Sequence, residues 1–228
     1  ASCSNRGMTF QALLFDCDGV LVDSEPIVNR VLFEMLQPLG WTATELNREA
    51  VDRYFTGRTI RDVMQAWAAD SGNHLPGDWM DRFLARRNAA LLAELQPIPG
   101  ILAAVPALHE RLGGQIACAS GADRFKIELQ LRQVGLLPWF DGRIFSGHEV
   151  AASKPEPFVY QAAAAHLGVE PARCLVIEDS GIGARAGLAA GATVWGYCRE
   201  GHGQAFEGLG VQRVFSDMAA LSGLLAAA

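Results

Sequence analysis

From Pro97 onward the chain alternates between short apolar runs and stretches with helical spacing. The pattern predicts helix 101–112, strand 115–120, helix 122–134, strand 143–146, helix 156–167, strand 173–179, helix 182–190, strand 192–197 and a closing strand and helix near 212–226. Regular strand–helix alternation selects a parallel sheet with helices on both faces, because parallel neighbours need a crossover long enough to hold a helix. Such crossovers are right-handed, and ligands bind at the carboxyl ends of the strands where the winding direction reverses. The chemistry of the chain should therefore be sought where its strands end.

The earliest strand end is also the most distinctive. Ala12-Leu13-Leu14-Phe15 reads as a buried strand, and Asp16-Cys17-Asp18-Gly19 follows it directly. Period-2 geometry sends the two carboxylates to the same side, beyond the strand tip. Two crowded acids repel unless a cation sits between them or one keeps its proton. An isolated motif of this kind is equally an ordinary Asp/Gly turn. Three further strand ends carry polar clusters: Ser120-Gly121 after 115–119, Ser153-Lys154-Pro155 after 143–145, and Glu178-Asp179-Ser180 after 175–177.

Between Asp23 and about Leu95 the pattern is helical instead. Ile27, Val31, Leu32, Met35 and Leu36 share one helical face, and Gly40 marks a stop. A second helix is expected near 59–69, with Ile60, Val63, Met64 and Trp67 on one face, and a third over about 78–95. A helical module is thus inserted directly after the first strand.

The four strand-end motifs, in this order, resemble the haloacid dehalogenase-like superfamily of aspartate-nucleophile phosphotransferases. Their spacing is most similar to its beta-phosphoglucomutase and sugar-phosphatase branch. The resemblance runs from about Phe10 onward. It implies an α/β fold, a three-layer Rossmann-like core with a parallel sheet, whose first strand lies between strands two and four. It also implies a discontinuous core domain of residues 1–24 and 97–228, with an inserted all-helical cap domain of residues 25–96.

The resemblance assigns Asp16 as a nucleophile that forms an aspartyl phosphate, and Asp18 as general acid and then base. It places a metal on the Asp16 carboxylate, the Asp18 main-chain carbonyl, Glu178 and Asp179. A carboxylate attacking a phosphate dianion is opposed by repulsion, and Mg2+ suits an all-oxygen set of this kind. Lys154 reads as the cation beside Asp16 and the phosphoryl group, and a cis bond before Pro155 would aim it. Ser120 and Gly121 suit an anionic oxygen at a helix start, although a serine there has the same look as a plain N-cap. Gly19 would let backbone approach phosphate closely. In the insert, Ser24, Arg58 and Arg87 are the expected substrate contacts, an arginine fork being suited to a second phosphate or a carboxylate.

Departures from the family pattern narrow the activity. Asp18 is absent from the dehalogenase branch. Val28 stands where the mutases carry a cap histidine, and no lysine occurs in the insert to serve phosphonatase chemistry. A phosphatase of a sugar phosphate or sugar-acid phosphate, such as 6-phosphogluconate, is the expected function. A beta-phosphoglucomutase-type mutase and a phospho-acceptor signalling domain remain alternatives.

Composition sets the remaining bounds. Half of the 228 residues are hydrophobic and 19% are charged, enough for a sizeable core. A net charge of -6 argues against a general nucleic-acid binder, while a local cation cluster still permits an anionic substrate. The five cysteines show no zinc or disulfide spacing, and the five histidines no ligand spacing. No apolar run approaches the roughly 18 residues that cross a bilayer. The expected partner is a small-molecule phosphate ester, with no nucleic acid and no membrane. A cytoplasmic location is expected, and a monomer, with a dimer as the alternative.

Overall fold

The computed structural model describes residues 10–40, 60, 64–65, 68–69, 72, 74–199 and 203–228. The chain divides into two compact units, Ala1–Asp23 with Gln96–Ala228, and Ser24–Leu95.

The first unit is built on a six-stranded parallel sheet. Its strands are β1 (Ala12–Phe15), β2 (Ile116–Ser120), β3 (Ile144–Ser146), β4 (Cys174–Glu178), β5 (Thr193–Tyr197) and β6 (Arg213–Phe215). The spatial order is β3-β2-β1-β4-β5-β6, so the winding reverses at β1, between β2 and β4. Leu13 is in register with both Ile116 and Leu175, and Phe15 with both Cys118 and Ile177. β1, β2 and β4 are buried along their whole length, as expected for strands covered on both faces.

Alternate β1 residues serve different layers. Ala12 and Leu14 join Ala117, Val176 and Val194 beneath the helix Phe158–Leu167. Phe15 meets Phe140 edge to face, with ring centroids 5.9 Å apart. Phe140 closes the four-residue helix Leu137–Phe140, which the sequence pattern does not reveal because it is barely one turn long.

The remaining longer helices of this unit are Ile101–Arg111, Arg124–Gln133, Gly181–Ala189 and Leu221–Ala226. The expected helix 122–134 begins two residues later than its pattern suggests. Asp123 is its N-cap, accepting a hydrogen bond from the Lys126 backbone N–H at 2.9 Å. Ser120 is consequently not a helix cap. Its Oγ accepts from the Ala122 N–H at 3.1 Å, in a local turn before the helix.

The second unit contains α1 (Glu25–Leu36), with Pro26 in its first turn, and α2 (Trp79–Glu94). The α1 residues buried are Ile27, Val31, Leu32, Met35 and Leu36, the face read from the sequence. On α2 the buried stripe is Trp79, Phe83, Arg87 and Leu91, one residue per turn. Met64 packs with Val31, Leu32, Met35 and Phe83. Most of the helix expected near 59–69, including Val63 and Trp67, lies outside the described residues.

Cys17, Cys118 and Cys174 are buried free thiols and Cys198 is a half-buried one. Among the described residues no helix is long and apolar enough to cross a membrane.

Candidate active site

Three strand ends and one loop converge where the sheet reverses. Asp16 directly follows β1, and its N–H bonds the Ile177 carbonyl of β4 at 3.0 Å. This tie brings Asp16 beside Glu178, the last residue of β4, and Asp179. Oxygens of Asp16, Glu178 and Asp179 lie within 4.8 Å of one another.

Lys154 enters from the loop after β3, preceding a cis peptide bond to Pro155. Its Nζ donates to Asp16 Oδ1 at 2.7 Å, to Glu178 Oε1 at 2.6 Å and to Tyr160 Oη at 2.8 Å. An ammonium has three N–H bonds, and all three are taken. The Tyr160 hydroxyl donates in turn to Glu178 Oε1 at 2.6 Å. The other oxygen, Oε2, accepts from the Ser180 N–H and hydroxyl at 3.2 and 2.9 Å. Glu178 is wholly buried and tolerates this because four donors face it.

Two glycines make the carboxylate cluster possible. Gly19 has φ +73, and a Cβ there would overlap the Asp179 carboxylate. A Cβ at Gly183 would overlap the Glu178 carboxylate. By contrast, a Cβ at Gly121 would find ordinary contact, 3.5 Å from Ser153 Oγ, so the structure imposes no such need there.

The electrostatics follow from burial. Desolvation pushes the Asp16 carboxyl up to about 7, opposed by the Lys154 charge and reinforced by Glu178 and Asp18. Burial pulls the Lys154 ammonium down, but the Asp16 and Glu178 charges and hydrogen bonds outweigh it and hold it above the ordinary lysine value. Burial, and then the Glu178 charge, hold the Tyr160 hydroxyl well above its usual range, so it is a neutral donor. Lys154 therefore does not offset the negative charge around Asp16. Buried oxygen donors with uncompensated charge are what a hard divalent cation fits.

Asp18, two residues beyond Asp16, has different partners. Lys126 Nζ and Gln130 Nε2, both on the helix Arg124–Gln133, donate to Asp18 Oδ1 at 2.7 and 2.8 Å. The structure thus gathers Asp16, Asp18, Lys154, Glu178 and Asp179 at one edge of the sheet, with Gly19 against Asp179 and Ser120 at the end of β2. Ser24 precedes α1 and Arg87 lies on α2, both buried in the helical unit; the Arg87 guanidinium donates to Asn88 Oδ1 at 3.0 and 2.9 Å. Arg58 lies outside the described residues.

Tyr160, Lys126 and Gln130 are absent from the sequence reading. The structure makes two of them stand out. A lysine in the first turn of a helix is disfavoured by the helix dipole. A fully buried glutamine four residues on, among Ile127 and Leu131, is out of place on an apolar face.

An aspartate beyond the central strand of a reversing parallel sheet, backed by a buried lysine and further carboxylates, defines a class of α/β hydrolases. This chain belongs to the haloacid dehalogenase-like hydrolases, whose family model matches residues 10–191. It is 29% identical over 193 residues to 6-phosphogluconate phosphatase of Escherichia coli K12, covering 84% of each chain. It is 35% identical over 182 residues to hexitol phosphatase B of the same organism, covering 78% of this chain and 79% of the other. A crystal structure of a haloacid dehalogenase family hydrolase from Deinococcus radiodurans R1, with bound phosphate and sodium, superposes with a TM-score of 0.76 at 37% identity, covering 97% of both chains.

Proposed function

We propose that the chain, a phosphatase of the haloacid dehalogenase-like type, hydrolyses a sugar phosphate or sugar-acid phosphate such as 6-phosphogluconate. The observation that carries this reading is the buried Asp16 carboxylate, 2.7 Å from Lys154 and within a cluster of three acids at the sheet's reversal point. The sugar-phosphate class rests on the names of the relatives, a 6-phosphogluconate phosphatase and a hexitol phosphatase.

In this reading an Asp16 carboxylate oxygen attacks phosphorus and the ester P–O bond breaks, leaving an aspartyl phosphate. Asp18 delivers a proton to the leaving alcohol oxygen. It then accepts one from the water that attacks the aspartyl phosphate, and inorganic phosphate leaves as Asp16 is restored. Lys154 holds Asp16 in line for attack, and its contact with a phosphoryl oxygen would replace one of its three present bonds. Ser120 and the backbone at Gly19 and Gly121 would receive phosphoryl oxygens. Mg2+, held by Asp16, Glu178, Asp179 and the Asp18 main-chain carbonyl, would withdraw charge from the phosphoryl group when bound.

The helical unit is proposed as the cap that selects substrate, with Ser24, Arg58 and Arg87 as its contacts. A single arginine can read a carboxylate or a second phosphate, and this suits a sugar-acid phosphate.

Phosphate release across a panel of sugar and sugar-acid phosphates, with and without Mg2+, tests the reading. Mg2+-dependent release from this class is the expected result. Interconversion of hexose phosphate isomers without free phosphate would replace it with a mutase. A stable self-phosphorylated protein with no turnover would replace it with a phospho-acceptor domain.

A further inference from the structure

Lys126 and Gln130 take no part in the proposed reaction steps, yet both are built into the site. They lie four residues apart on the helix Arg124–Gln133 and so share one face. Both donate to the same oxygen, Asp18 Oδ1, at 2.7 and 2.8 Å. Gln130 is fully buried, and its amide oxygen accepts from Cys17 Sγ at 3.6 Å, which fixes the orientation of the amide. The Lys126 backbone is anchored by the Asp123 cap. The Lys126 side chain is only 11% exposed.

Neither placement helps the helix. A lysine in the first turn opposes the helix dipole, and burying a glutamine and a lysine stem-deep costs desolvation that apolar residues would avoid. The return on that cost is geometric. Two donors from one rigid helix converging on one carboxylate oxygen leave Asp18 little rotational freedom, and acid–base chemistry demands placement within about half an ångström.

We infer that Lys126 and Gln130 form a clamp that sets the orientation of the Asp18 side chain. They are positioning residues for the proton-transferring carboxylate, and the inference rests on the phosphatase reading for its kinetic consequence only.

Two variants test it, Lys126→Met, which keeps the length of the side chain without its charge, and Gln130→Leu. Crystal structures of both should show the Asp18 carboxylate displaced or in more than one rotamer. The same single orientation as in the parent protein in both variants overturns the clamp, whatever the enzyme hydrolyses. Kinetically, kcat for a sugar phosphate should fall about ten- to a hundred-fold with KM little changed, since general acid–base catalysis is worth about 10²–10⁴.

p-Nitrophenyl phosphate separates the steps. Its leaving group needs no proton, so aspartyl phosphate should still form in Lys126→Met and then accumulate, because attack by water still needs Asp18. A raised KM for both substrates with kcat retained would instead make Lys126 a substrate-binding residue and overturn the positioning role. Loss of rate matched by loss of folded protein in thermal melts would reduce the pair to a structural one. Failure of the parent protein to hydrolyse any phosphate ester would sink the phosphatase reading, while the crystallographic result would still decide the clamp.

Discussion

Asp16 and Asp18 stand two residues apart, and each accepts from a lysine at 2.7 Å, yet the two pairs differ in the exposure of the aspartate and in the charge of its neighbours. Lys154 and Asp16 are 8% and 10% exposed, and Glu178, Tyr160 and Asp16 take all three ammonium N–H bonds. Lys126 and Asp18 are 11% and 23% exposed, and the neutral Gln130 amide donates to the same Asp18 oxygen. The Lys154–Asp16 pair belongs to a buried network in which one ammonium serves two carboxylates and a hydroxyl. The Asp18 carboxylate of the second pair is the more exposed of the two. A nucleophile must be held rigidly and kept reactive, whereas a proton carrier must exchange with the leaving oxygen and with water. The proposed mechanism gives the first role to Asp16 and the second to the more exposed Asp18.

The largest effect that would sharpen this contrast is expected from Asp16→Asn. It removes the oxygen proposed as the nucleophile and should lower phosphate release by about 10⁴-fold or more, leaving thermal stability unchanged or higher. Residual turnover near the parent rate would break the comparison at its root.

Lys154→Met comes next. It leaves Glu178 and Asp16 buried without their cation, a loss typically worth about 3–5 kcal/mol when one partner of a buried pair is removed. Denaturant melts should show a large drop that high Mg2+ partly reverses. A loss equal to that of Lys126→Met would mean that depth of burial does not distinguish the two pairs.

Tyr160→Phe removes only a hydroxyl that bridges Lys154 and Glu178. It should cost about 1–3 kcal/mol of stability by leaving a buried acceptor one bond short. Turnover should drop several-fold with KM unchanged, measured alongside the melt. An unaltered kcat would show that Lys154 is aimed without it.

The smallest effect concerns pH. In the metal-free protein the Asp16 carboxyl is raised from 3.8 to about 7, chiefly by burial. Between these values the folded state binds more protons than the unfolded one, so this group's contribution is fully present below pH 4 and is lost as the pH rises through 7. A divalent cation takes over the proton's role. The thermal shift produced by Mg2+ should accordingly be larger at pH 8 than at pH 5, and an equal shift at both would contradict the burial argument.

Most of the back of the site was legible in the sequence because it is local to strand ends. Asp16, Ser120, Lys154, Glu178 and Asp179 each follow an apolar run, and strand alternation brings those ends to one edge. That Asp123 rather than Ser120 caps the following helix was not legible: only the Asp123 bond to the Lys126 N–H shows where the helix begins. Lys126 and Gln130 were not legible: a helix read as starting at 122 puts Lys126 beyond the first turn, and only the fold buries Gln130.

The periodicities of 2 and 3.6, with glycines and prolines between them, determined from the sequence alone the α/β class, the helical insert and the acids at the strand tips. The tertiary structure decided which cation serves which acid. Lys126 and Gln130 reach Asp18 across 108 and 112 residues, and Lys154 reaches Asp16 across 138. Local periodicity sets an element's type and its inward face. Which side chain meets which across such separations depends on strand order and helix docking, and these are set by packing of the whole sheet rather than by any neighbouring residue.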